Sequence, residues 1–60
     1  MKNITERFNL TNRETAIMQR VGSHTTILIE NTGRSLTDSE WQECWSTPEN
    51  KIKFDRVIFG

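Results

Sequence analysis

Cys44 is the only cysteine in a chain of 60 residues, and His24 is the only histidine. A domain this small buries only about 60% of the surface that its unfolded chain exposes. Disulfides, a metal or self-association commonly make up the difference. One cysteine cannot close an internal disulfide. One cysteine and one histidine fall short of the ligand set of a structural zinc site. Tight packing or association remains, and a homodimer is expected.

The opening run, MKNITERFNL, has no long apolar core, so no signal peptide is expected. No stretch reaches the roughly 20 apolar residues of a membrane span. The expectation is a reduced, cytoplasmic setting without a membrane partner, in which the sequons Asn3-Ile4-Thr5 and Asn9-Leu10-Thr11 are chance matches. Eight basic and eight acidic residues cancel. Direct nucleic-acid binding draws its affinity from basic residues that neutralise phosphates, so neutrality argues against it. The charge is nevertheless unevenly placed. Residues 1–34 sum to +2, residues 35–50 to −4 and residues 51–60 to +2.

The whole chain, 1–60, reads as one small domain with no repeat or linker. Residues 1–10 are weakly patterned and are expected to form a loose arm or an edge strand. Residues 14–31 fold into a hairpin about Gly22-Ser23-His24, with Ile17 facing Ile29 and Gln19 facing Ile27. Ile17, Val21, Ile27 and Ile29 then share one side. The β-branched run TTILI supports a strand. A helix over 11–21 competes with this reading. Thr11-Asn12-Arg13-Glu14 has capping-box spacing, and LTNRETAIMQRVG resembles the first helix of LuxR-type DNA-binding domains, which would make the chain a small DNA-binding regulator.

Residues 37–46 have the strongest helix signature. Thr37 is an N-cap with Glu40 at the capping-box position, and Leu36 can staple against Trp41. Trp41, Cys44 and Trp45 lie at i, i+3 and i+4 as one apolar stripe. Ser46-Thr47-Pro48 ends the helix. In residues 51–59, KIKFDRVIF, the alternation of Ile52 and Phe54 with Lys53 and Asp55 predicts a strand. The expected fold class is α+β, in the order β-β-α-β: a three-stranded antiparallel sheet with one helix on a face.

Little in the chain suits catalysis. His24 falls in a turn. Cys44 lies on the apolar stripe among acidic neighbours, where a small buried hydrophobe is expected rather than a reactive thiol. No phosphate loop or metal-ligand spacing occurs, and neither an enzyme nor a cofactor is expected. Binding is the remaining class. In one reading Glu40 caps its helix, Glu43 is solvated and both indoles are core. In the other, Trp41 and Trp45 beside Glu40 and Glu43 anchor an interface.

Two blocks resemble the small uracil-DNA glycosylase inhibitors of Bacillus phages that replicate DNA by protein priming. GRSLTDSE, residues 33–40, is similar to that family's turn into its helix. IKFDRVI, residues 52–58, is similar to its last strand. The resemblance implies a homodimer with a continuous sheet that blocks the DNA-binding cleft of the host's uracil-DNA glycosylase as a partial mimic of DNA. It implies that Glu40 is the principal polar contact, supported by Glu43 and Glu30. Trp41 and Trp45 would line a pocket or the dimer seam, and Ile52, Phe54, Ile58 and Cys44 would form the core or dimer surface behind them. Another host enzyme, such as RNA polymerase, is an alternative target.

Overall fold

The computed structural model describes residues 3–60, as three strands followed by two helices. Strands β1 (Asn3–Asn9), β2 (Thr15–Val21) and β3 (His24–Ile29) pair antiparallel in the order β1-β2-β3, and α1 (Asp38–Ser46) and α2 (Pro48–Phe59) follow. The α+β class and the three-stranded antiparallel sheet agree with the expectation. The element order does not, because the third strand comes from the N-terminal segment and residues 51–59 are helical. The first two residues of the expected arm lie outside the described ones.

Strand β1 works because Ile4 and Phe8 point to one side with Glu6 between them. Phe8 is wholly buried opposite Ala16. Glu6 would be an unpaired carboxylate on that side, but Arg56 of α2 reaches it at 2.8 Å. The loop to β2 is closed by Leu10 N–H donating to Glu14 O at 2.9 Å, and Asn12 Oδ1 accepts from Glu14 N–H at 3.1 Å. Residues 11–14 are thus a turn, and β2 occupies the segment that the LuxR-like helix would have needed.

The hairpin forms, but one residue out of the expected register. Only Gly22 and Ser23 make the turn, so Val21 pairs with His24, Ile17 with Leu28, Met18 with Ile27 and Ala16 with Ile29. Gly22 has φ 62 while Ser23 has no positive φ, the type II′ pattern that suits the twist of a two-residue hairpin. Strand side chains alternate, so a one-residue slip exchanges the faces. Ala16, Met18, Ile27 and Ile29 face the helices. Ile17 and Val21, expected on the same side as Ile27 and Ile29, lie instead on the open face with Leu28.

Thr47 serves both helices, as the C-cap of α1 and the N-cap of α2. Its extended backbone, φ −100 and ψ 148, breaks the helical path, and its hydroxyl accepts from Asn50 N–H at 3.3 Å. Pro48 sits at N1, where its fixed φ favours a helix and its missing N–H costs nothing. Asn50 Nδ2 donates back to Glu43 O at 2.9 Å and ties the corner. These signals outweigh the alternation of Lys51 to Asp55, which becomes an i, i+4 ion pair at 2.8 Å. Ile52 and Phe54 are roughly 200° apart on a helix. Ile52 is 61% exposed, whereas Phe54 and Ile58 pack on the core beside the buried Val57. Lys53 Nζ donates to Arg7 O on the edge of β1 at 3.0 Å. Arg20, on the helix-facing side of β2, donates to Val57 O and Ile58 O at 3.3 and 3.0 Å, where the last turn of a helix leaves carbonyls unpaired.

The core is one cluster of Phe8, Leu10, Ala16, Met18, Ile29, Cys44 and Val57, held between one face of the sheet and the two helices. Cys44 takes the expected place of a small hydrophobe.

Candidate functional site

Helix α1 carries most of the expected site residues, and its start determines how they point. The capping box forms as expected. Thr37 Oγ1 accepts from Glu40 N–H at 3.3 Å, and Glu40 Oε1 accepts from Thr37 N–H at 2.8 Å. The same carboxylate takes Arg34 in a two-pronged pair and Asn12 Nδ2 at 2.9 Å, so each of its oxygens has two donors. Glu40 is 3% exposed. The Arg34 guanidinium, then the Thr37 N–H and Asn12, hold its carboxyl well below the usual carboxylate range. The same hydrogen bond raises the pKa of Arg34.

Glu43, one turn on and half-buried, accepts from Thr11 N–H at 2.9 Å. Glu40 and Glu43 therefore hold the β1–β2 loop against α1. Glu30 shares no hydrogen bond with either, and pairs with Arg7 at 3.4 Å where β3 ends. The three glutamates do not converge into one acidic surface. Sequence reasoning missed Arg34 and Asn12, the side chains that fix Glu40. Nothing in the spacing of residues 12, 34 and 40 identifies them as a cluster.

With Glu40 and Cys44 turned inward at i, i+4, the helix cannot bury Trp41 and Trp45 as well. Cys44 is sealed, and burial, with the nearby Glu43 and Glu40 carboxylates, pushes its thiol pKa up to about 11. Trp41 is 38% and Trp45 46% exposed, so the predicted single stripe is split, with the cysteine inside and the indoles outside. Leu36 is partly buried and packs against the core. Asp38, one turn before Trp41, is exposed and takes part in no ion pair among the described residues.

On the other layer, the open face of the sheet shows Val21 and Leu28, with a shallow hollow between Ile17, Gln19, Thr26, Leu28 and Glu30. Among the described residues no group of three or more His, Cys, Asp or Glu side chains could hold a metal ion, and no helix is long and apolar enough to cross a membrane. Comparison of the chain with protein-family models, with curated proteins and with solved structures found no match.

Proposed function

We propose that the protein acts by binding rather than by catalysis, and that its contact surface is the outer face of α1. One observation carries this reading: Trp41 and Trp45 lie at i, i+4 on one side of α1 and both remain part-exposed, while Cys44 between them is sealed. A chain short of apolar surface would bury its two largest side chains if folding alone had shaped it. Adjacent indoles left outside suit an interface anchor, since tryptophan leads the residues that dominate binding energy. Asp38 gives this face a polar, acidic border.

The narrower proposal for the target is uracil-DNA glycosylase. The block GRSLTDSE supports it, because residues 33–37 lead into a capped helix, as in the inhibitors it resembles. The block IKFDRVI gives no support, because it lies in α2 and not in a strand. A contact through Glu40 would require that carboxylate to leave four donors, so in this proposal Trp41, Trp45 and Asp38 make the approach instead.

A uracil-excision assay with the purified protein tests the target. Uracil release should stop at excess protein and resume with the Trp41→Ala/Trp45→Ala variant. Full excision at large excess removes the glycosylase as target, and the same pair of proteins is then compared in transcription by RNA polymerase. If neither enzyme distinguishes the wild type from the variant, the α1 face is not a contact surface for either.

A further inference from the structure

The two edges of the sheet are not alike. Along β1, the outward carbonyl of Arg7 is already taken by Lys53 Nζ, and Glu6, Arg7 and Arg56 crowd the same flank with charge. Charge on an edge is a common barrier to further pairing. Strand β3, HTTILI, carries no Asp, Glu, Lys or Arg and no proline.

The two-residue turn fixes which backbone groups of β3 are free. Val21 and His24 flank the turn as a hydrogen-bonded pair, so the bonded pairs continue at Gln19/Thr26 and Ile17/Leu28. The pattern holds at the far end, where Glu30 N–H donates to Thr15 O at 2.8 Å. The intervening residues Thr25, Ile27 and Ile29 direct their N–H and C=O away from β2. Ile29 is satisfied by its own loop, donating to Arg34 O at 2.9 Å and accepting from Gly33 N–H at 2.8 Å. Among the described residues, no backbone hydrogen bond outside the sheet engages Thr25 or Ile27.

We infer that this edge pairs with β3 of a second copy of the chain, antiparallel about a two-fold axis at Thr26. The register follows from the free groups. Only with Thr26 opposite its own counterpart does Thr25 of each copy meet Ile27 of the other, each pair exchanging both N–H···O bonds, so that every free group is used. A pairing centred on Thr25 or on Ile27 leaves some unsatisfied. Self-complementarity favours a second copy over an unrelated strand, and the obstructed β1 edge makes the assembly stop at two. The product is a six-stranded sheet in which the open faces bearing Ile17, Val21 and Leu28 become continuous. This surface lies on the other layer from the indoles and does not depend on the α1 reading.

Sedimentation equilibrium on the full chain over a wide concentration range tests it, with three variants. Thr26 is exposed on the open face, so Thr26→Lys leaves the core untouched but sets like charges face to face at the axis. Wild type should be a dimer. Thr26→Lys should be a monomer with unchanged circular dichroism. Thr26→Cys should give a disulfide-linked dimer on mild oxidation, while Thr5→Cys, exposed on β1, should give none. A wild type that stays monomeric at every concentration, a dimer that Thr26→Lys does not weaken, or equal cross-linking by the two cysteine variants overturns the inference.

Discussion

Arg34 and Glu40 meet as a two-pronged ion pair, Nη1 2.8 Å from Oε1 and Nη2 2.8 Å from Oε2, with the carboxylate buried and the guanidinium partly in solvent. A buried carboxylate that loses such a partner keeps its desolvation cost, so the pair matters more to stability than an exposed one does.

The pair sets an acid limit. The pKa of Glu40 is lowered in the fold from its ordinary 4.5, so over the interval between the two values the unfolded chain holds the extra proton. The stability contributed by this group is complete above the ordinary value and is lost as pH falls through the folded one. Thermal melts of wild type should therefore weaken on acidification below 4.5. Glu40→Gln should melt lower at neutral pH and show a flatter decline in acid.

Cys44 sets a limit of opposite sign. Its pKa is raised from 9.0 to about 11, so stability from the neutral thiol is complete below the ordinary value and is lost as pH rises through the folded one. A thiol reagent at mildly alkaline pH should label the folded protein slowly and the denatured protein fast. Equal rates would place the thiol at the surface.

Thr37→Ala removes the hydroxyl that accepts from Glu40 N–H and should cost about 0.5–2 kcal/mol, read from urea unfolding. The loss should appear as fraying of α1, while the hairpin keeps its amide-exchange protection.

Phe8 and Ile52 separate the observed topology from the one expected of the sequence. Phe8→Ala should cost about 3–5 kcal/mol, comparable to the whole stability of a domain this size, about 3–5 kcal/mol, and should leave the chain unfolded. Ile52→Ala, on the outer side of α2, should change stability by no more than about 0.5 kcal/mol. A strand over 51–59 would have made Ile52 part of the core instead.

How far the fold was legible follows from these same residues. The start of α1 could be read because a capping box is local: Thr37 and Glu40 are three residues apart and satisfy each other. The hairpin could be read from its β-branched run, but its register could not, because including His24 in the turn moves every opposing residue by one. Strand β1 matches one of the two alternatives for residues 1–10, an edge strand, and sequence does not decide between them because the place of Glu6 depends on Arg56, fifty residues away. Helix α2 is masked by the alternation of Lys51 to Asp55, which imitates a strand, although the Thr47-Pro48 start and the helical spacing of Phe54, Val57 and Ile58 both point to it. Of the candidate site, the indoles and Cys44 could be named from sequence but not oriented. Their orientation depends on Glu40 turning inward, and that depends on Asn12 and Arg34, distant in sequence.

One residue, Thr47, joins the end of α1 to the beginning of α2 without any slack between them. The Asn50 Nδ2–Glu43 O hydrogen bond braces that corner, and Lys53 and Arg56 fasten α2 to the first strand. In the reading that puts the contact on α1, a load on Trp41 or Trp45 would be taken up along this path. The indole-bearing helix is the short arm of a bent lever whose long arm rests on the sheet.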